Sequence, residues 1–307
     1  MPRLHRFFKI NPFKRTLIYH LGAEAGFFSE FNNMVLAILY CYKHNINFKI
    51  YSQDAHFGYN KGWTDFFEPF CEEVSERFHM SYNIRQPQFL PNNPIFNTKK
   101  FIYKILYHFS YYTHELWPYF RNQDFNKEKF FIENKYMDFL EASKYIIDKI
   151  WKYNKNTQSR IEELVNNLSL PNDYAGIHIR RGDKFTEHDN VDIEKYMTKL
   201  QQVTDIKNIF VYTDDYDVIT LLRKKYSTYN FYTLVDETEH GYFHQDFINK
   251  NIELRTKAVI KMLASMDLLS KAKYCIGTYS ANPGMFLGMR MTKGKMIGVD
   301  YDSWRIW

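Results

Sequence analysis

The sequence predicts an α/β protein in two parts, and three observations carry the prediction. Residues 174–299 alternate short apolar runs with helix-length amphipathic runs, the rhythm of a parallel, doubly wound sheet. Residues 16–52 show a strand, a helix and a strand, the start of a second α/β layer. The 307 residues are enough for two cores.

In the first half, Thr16–Leu21 reads as a strand. It leads through Gly22 and Gly26 to Ser29, a helix N-cap candidate, and to a helix from Phe31 to Lys43. Asn47–Ser52 is a second strand. The proline-interrupted stretch 60–96 reads as irregular, and Lys99–Leu116 and Lys127–Leu168 read as helices. Ser169–Asp173, with Pro171, is the expected hinge, giving domains 1–168 and 169–307. The second half then predicts strands at Tyr174–Arg180, Asn208–Thr213, Phe231–Val235, Tyr274–Gly277 and Lys295–Val299. Helices are expected at Asp192–Val203, Tyr216–Tyr226, Glu253–Ala272 and Ala281–Met289.

Composition excludes several classes. The net charge is +6, from 41 Lys and Arg against 35 Asp and Glu interleaved along the chain, so no concentrated basic face for nucleic acid is expected. Cys41, Cys71 and Cys275 are odd in number and widely spaced, which fits a reducing, cytoplasmic setting better than a disulfide framework. No run approaches the ~20 apolar residues of a membrane span. The basic, aromatic start Met1–Arg15 allows peripheral membrane contact at most.

The segment with most chemistry is Ala175-Gly-Ile-His178-Ile-Arg180-Arg181-Gly182-Asp183-Lys184. Alternation puts Ile177 and Ile179 on one face and His178 and Arg180 on the other. A strand covered by helices should be apolar, so these cations at its end need an anion or an acid. Guanidinium groups bind phosphate oxygens bidentately and would stabilise charge growing on a leaving diphosphate. A buried Arg–Asp pair pinning the strand end is the other reading.

The stretch His178-Ile-Arg180-Arg181-Gly182-Asp183 resembles the H-x-R-R-x-D motif shared by α1,2-, α1,6- and protein O-fucosyltransferases. Lys184, Glu187 and Ile193-Glu-Lys-Tyr196-Met197 resemble the α1,6 continuation, one residue shorter here. Collinear blocks agree: Gly22 and Gly26; Ser52-Gln53 with Gly62-Trp63-Thr-Asp-Phe-Phe-Glu-Pro69; Tyr212-Thr213-Asp214-Asp215; and Leu269-Ser270 with Gly277-Thr278-Tyr279-Ser280-Ala281-Asn282. Ala281-Asn282 stand where Ser-Gln is usual in the family.

The resemblance implies a GT-B-like fold of two Rossmann-like domains facing a cleft, with extra helices in the N-terminal half. It also implies GDP-fucose as donor, a glycan acceptor, inversion, and neither metal nor cofactor. The first domain would supply the acceptor side and the second the donor site. Arg180 and Arg181 would hold the diphosphate. His178 would bond the nucleotide or simply be a core histidine. Asp183 would orient an arginine, and Lys184 steady the donor. Glu187 is the expected general base, with Asp183 second and Arg181 assisting. Tyr196 would touch the donor or face the core. The family's guanine-binding Asp falls at Ser265, with Asp267 close by. Ser280, Ala281 and Asn282 would offer helix N-terminal amides to phosphate, unless Ser280 serves as a plain N-cap. Gly22 and Gly26 would border the cleft.

Asp214-Asp215-Tyr216-Asp217 contains D-x-D, a metal-binding pattern elsewhere. Here Asp214 and Asp215 are read as nucleotide contacts or loop geometry. Asp236–Glu239 with His240 and His244 match no zinc template and read as a polar loop. The rival functions are α1,2-fucosyl transfer and a catalytically silent sugar-nucleotide-binding protein.

Overall fold

The computed structural model describes residues 14–22, 25–86, 93–106, 110–181 and 191–306. The chain divides into two compact units, 1–154 and 155–307. This division falls ahead of the Ser169–Asp173 hinge expected from sequence. The helix Lys155–Asn167 is part of the second unit, where it packs on the helix Ile252–Lys271.

The first unit is built on a parallel sheet of β1 (Thr16–His20), β2 (Asn47–Tyr51), β3 (Glu72–Glu73) and β4 (Tyr111–Tyr112), in the order β3-β2-β1-β4. Helix α1 (Phe27–Lys43) links β1 to β2. Its N-cap is Gly26, not the expected Ser29, because Ser29 and Glu30 already donate their amides to the Gly26 carbonyl. Every residue of β1 is buried, as a central strand covered on both faces must be.

Three expected stretches differ. The irregular 60–96 region contains β3 and the short helix α2 (Phe78–Tyr82). The single helix expected over Lys99–Leu116 is α3 (Pro94–Leu106), then β4, then α4 (Thr113–Asn122). Tyr112 heads α4 by donating its backbone amide to the Glu115 carboxylate at 2.9 Å, so the chain turns from strand to helix within one residue. The helix expected over Lys127–Leu168 is a hairpin, β5 (Phe130–Ile132) and β6 (Lys135–Met137), followed by α5 (Phe139–Ile150) and α6 (Lys155–Asn167). Glu133 and Asn134 both take positive φ, 47° and 62°, as a two-residue hairpin turn requires. The break between α5 and α6 is tertiary: Trp151 packs edge-on against Phe31 and Phe67, and Tyr153 bridges to Phe67.

The Gly62–Pro69 block serves this packing. Trp63 is fully buried and stacks on Phe67 with ring centroids 4.1 Å apart. The Asp65 carboxylate collects the amides of Tyr59, Asn60, Lys61 and Gly62 at 2.7–3.0 Å. Gly62 has φ +72°, and a Cβ there would lie 1.8 Å from the Ser52 carbonyl oxygen.

The second unit is a five-stranded parallel sheet in the order β11-β10-β7-β8-β9. The strands are β7 (Ala175–Ile179), β8 (Asn208–Thr213), β9 (Asn230–Tyr232), β10 (Cys275–Gly277) and β11 (Met296–Gly298). Its helices are α6, α7 (Ile193–Val203), α8 (Tyr216–Lys225), α9 (His244–Asn249), α10 (Ile252–Lys271) and α11 (Asn282–Arg290). Ile177 and Ile179 join Met197, Leu200, Ile219 and Leu222 in one core, so the predicted alternation of β7 places its apolar face under α7 and α8. On the other face Gly176 admits Leu269 of α10, which a Cβ would meet at 2.8 Å. From β7 the chain builds outward through β8 and β9, then returns to add β10 and β11 on the opposite side. The strand order therefore reverses between β7 and β10, where a ligand crevice is expected at the carboxyl ends.

Among the described residues no helix is long and apolar enough to cross a membrane. Gly62→Ala combines a disfavoured φ with a backbone collision, and is expected to destabilise the first unit by about 3 kcal/mol or more. Urea denaturation followed by tryptophan fluorescence measures this, and an unchanged midpoint would contradict the packing described.

Candidate active site at the carboxyl edge of the second sheet

Arg180 and Arg181 follow β7, and Asp214 follows β8, its register neighbour. The Asp214 carboxylate faces Arg180 Nη1 at 2.8 Å and accepts the Arg181 backbone amide at 2.7 Å. It also accepts the Tyr242 amide at 3.2 Å, and its carbonyl takes the Gly241 amide at 2.6 Å. The Arg180 guanidinium lies over the Tyr242 ring, 4.7 Å from its centroid. Arg181 donates from Nη1 to the Val191 carbonyl at 3.1 Å. Both readings of the arginines thus meet in one place: Arg180 is paired with an acid, while the Arg181 side chain is held by a neutral carbonyl and keeps its charge uncompensated by that bond.

His178 lies one turn of the pleat below Arg180 and is 2% exposed. Its Nδ1 is buried with no hydrogen-bond partner among the described residues. Burial, and then the Arg180 charge, push its pKa down to about 3, so the ring is neutral at physiological pH. This ring nitrogen at a strand end keeps capacity for one further hydrogen bond beyond the described residues.

Across the strand-order reversal, Asp300 follows β11 and accepts the amides of Tyr279 and Ser280 at 2.8 and 2.9 Å. This fixes the turn between β10 and α11. The N-cap of α11 is Ala281 rather than Ser280, and an alanine has no side chain with which to cap. Gly284 in the first turn lies so close to β10 that a Cβ would sit 1.9 Å from the Thr278 carbonyl oxygen. The start of α11, which has no side-chain cap at Ala281 and a proline in its first turn, is thereby held against the strand end.

Other candidates are placed differently. The Tyr196 ring is 2% exposed in the α7–β7 core, and its hydroxyl feels the charges of Arg181 and Asp300. Ser265 is fully buried in α10, with a hydroxyl lacking a partner among the described residues. Asp267 is paired with Arg290 of α11 at 2.6 Å. Asp215 caps α8 by accepting the Asp217 amide at 3.1 Å. Asp215 and Asp217 also approach His240 Nδ1 at 3.6 and 3.8 Å, a grouping whose oxygen and nitrogen atoms could meet a cation. Gly182, Asp183, Lys184 and Glu187 lie outside the described residues.

In the first unit, Gly22 donates its amide to Glu30 at 3.2 Å, and Gly26 starts α1. Glu30 faces Arg85, whose guanidinium lies over the Trp117 ring at 4.8 Å. At the end of β1, His20 binds Asp54 at 2.8 Å and the Asn83 carbonyl at 3.1 Å. Sequence reasoning missed Tyr242 and Asp300. Asp300 had a legible signal, an acid just past the last strand; Tyr242 had none, since its role depends on a loop folding back over β8.

The depressed pKa of His178 makes stability depend on pH. The unfolded chain protonates this histidine near 6.5 and the folded chain only near 3, so stability is full above 6.5 and falls as pH drops through that window. Replacing His178 by Asn should flatten the urea midpoint between pH 6.5 and 4 relative to wild type. His79 and His114, each pushed down to about 4 by burial, remain in both proteins and supply the residual slope. An identical pH slope in both proteins would contradict the buried neutral ring.

Comparison with known proteins adds the following. Several solved structures share the two-sheet, GT-B-like fold. NodZ alpha-1,6-fucosyltransferase soaked with GDP-fucose superposes with TM-score 0.55 at 14% identity, covering 91% of this chain and 93% of that one. Fucosyltransferase NodZ from Bradyrhizobium gives 0.52 at 14%, covering 90% and 92%. POFUT1 in complex with GDP-fucose gives 0.52 at 10%, covering 96% and 99%. At such identities the likeness speaks for the fold alone. No curated protein sequence matches the chain. The family model described as alpha-(1,6)-fucosyltransferase N- and catalytic domains matches residues 12–283, nearly the whole length. The chain therefore belongs to the alpha-(1,6)-fucosyltransferase family.

Proposed function

We propose that this chain transfers L-fucose from GDP-fucose to a hydroxyl of a glycan acceptor, in an α1,6-type linkage, with inversion and without a metal. The second unit binds the donor and the first supplies the acceptor side. The observation that carries the reading is the pair of guanidinium groups after β7, organised by Asp214. NodZ crystals soaked with GDP-fucose and POFUT1 in complex with GDP-fucose share this fold, which supports the choice of donor.

The acceptor oxygen attacks the anomeric carbon while the bond from that carbon to the β-phosphate oxygen breaks. The electron pair leaves with GDP. Arg181, and Arg180 braced by Asp214 and Tyr242, meet the growing phosphate charge with fixed donors. The amides of Ala281 and Asn282 add to that anion site, with the Ser280 backbone as its anchored edge. His178, neutral, offers its ring to the nucleotide. The proton of the acceptor hydroxyl passes to Glu187, with Asp183 as the alternative base; Lys184 steadies the donor. Ser265 and Asp267 are the family-matched positions for guanine, with Asp267 reaching the base only if it exchanges its Arg290 partner. Tyr196 supports Arg181 from below, and Asp214 and Asp215 shape the loop. Gly22 and Gly26 form the acceptor-side loop. A cytoplasmic setting belongs to the same reading and is supported by three buried free cysteines.

The test is turnover of GDP-fucose with a panel of glycan acceptors, and product linkage by NMR. Arg181→Ala should lower turnover roughly 10²–10³-fold, and Arg181→Lys should recover little of it, because an ammonium cannot bind two oxygens in one plane. Full activity in Arg181→Ala removes the proposed role, and no turnover in wild type favours a silent binding protein. Glu187→Gln should abolish turnover while GDP binding persists; if it does not, Asp183 is the base.

Metal independence is checked separately. Turnover in EDTA should equal that in Mg²⁺ or Mn²⁺. Loss in EDTA, restored by Mn²⁺ and abolished by Asp217→Asn, would instead assign the chemistry to the Asp215–Asp217–His240 group.

A further inference from the structure

Helix α3 turns its apolar face outward. Ile95, Phe101, Ile102, Ile105 and Leu106 are 71, 59, 49, 49 and 64% exposed. At 100° per residue these five fall within an arc of about 140°, with Thr98 among them. The opposite face fixes the helix to the first unit: Phe96 packs against Tyr82 at 4.7 Å, and Tyr103 stacks on Phe78 at 4.0 Å. Single exposed apolar residues need no explanation, but a contiguous stripe of five on one helix marks a surface that is covered in use.

Charge indicates the cover. α3 carries Lys99, Lys100 and Lys104 and no acid. Lys99 is exposed at the border of the apolar arc. Glu115 is shared by Lys100 and Lys104, leaving the helix and its partner net positive. Tyr111, five residues beyond Leu106, opens β4, and the Arg15 guanidinium lies 5.3 Å from its ring centroid. Arg15 thus adds a cation beside the start of β4 in the same unit. A symmetric contact between two copies through this face would bring Lys99 and its neighbours against their own kind. An anionic lipid surface instead receives the apolar stripe and attracts the lysines at once. At 13 residues α3 is too short to span a bilayer and suited to lie in its interface.

We propose that α3 docks the first unit onto an anionic membrane surface, its apolar stripe among the acyl chains and Lys99 at the headgroups. This is independent of the donor reading above.

Cosedimentation of the full chain with phosphatidylcholine vesicles, with and without phosphatidylserine, tests it. Binding is expected with phosphatidylserine and weaker in high salt. The double variant Ile102→Glu/Ile105→Glu should lose affinity by roughly tenfold per residue, and Lys99→Gln by about fivefold. Both should keep the wild-type melting transition, since the substituted side chains are exposed; if the glutamates lower it, Ile102→Ser/Ile105→Ser carries the same comparison. Failure of the wild type to sediment with phosphatidylserine vesicles overturns the proposal, as does undiminished binding by the double variant. A dimer seen by light scattering, dissociated by the double variant in a protein that ignores vesicles, would make this face a contact between copies and equally overturn it.

Discussion

The Asp214 carboxylate organises the carboxyl edge of the second sheet. It takes the Arg181 amide on one oxygen, and the Arg180 guanidinium with the Tyr242 amide on the other. Three segments from different parts of the chain, the ends of β7 and β8 and the 240s loop, are thereby fixed to one small anion. Such a pair in a partly dry site has little net value for stability, because desolvation offsets attraction. Its value is geometric: Arg180 is pre-oriented, and the backbone of Arg181 is fixed so that its side chain leaves the strand in one direction. A group that must meet charge growing elsewhere is most effective when its own reorganisation has already been completed.

The same device recurs. Asp300 gathers the amides of Tyr279 and Ser280, Asp65 gathers four successive amides ahead of Trp63, and Glu30 takes that of Gly22. Loops that run over strand ends expose N–H groups with no ladder partner, and a short acid satisfies several of them in one step. At Asp65 the result is wholly structural, buttressing the aromatic cluster of Phe31, Trp63, Phe67 and Trp151. At Asp214 and Asp300 the fixed loops flank the point where strand order reverses.

His178 shows the opposite economy. Among the described residues Nδ1 has no partner, and burial keeps the ring uncharged beside Arg180. An unsatisfied buried nitrogen weakens the fold, by roughly 1–3 kcal/mol for such groups. Asp65, Asp214 and Asp300 each accept from two or more donors, whereas the His178 nitrogen has no partner among the described residues.

The sequence by itself determined the second sheet, the face each β7 side chain takes, and the location of the cationic strand end. Those features rest on local periodicity, which short-range sterics and burial enforce: Ile177 and Ile179 must enter the core if His178 and Arg180 do not. It also marked Asp214 and the start of α11, because strand ends are where a doubly wound sheet collects its ligands. Only tertiary structure decided the rest. A helical composition over 127–168 became a hairpin and two helices, because Trp151 and Tyr153 gain more by packing on Phe67 than by continuing a helix. The partners of Arg180, the stripe left bare on α3, and the pairing of Asp267 with Arg290 depend on residues far apart in the chain. Periodicity reports which side of an element is apolar; which neighbour arrives to cover that side, or fails to, is settled by long-range packing.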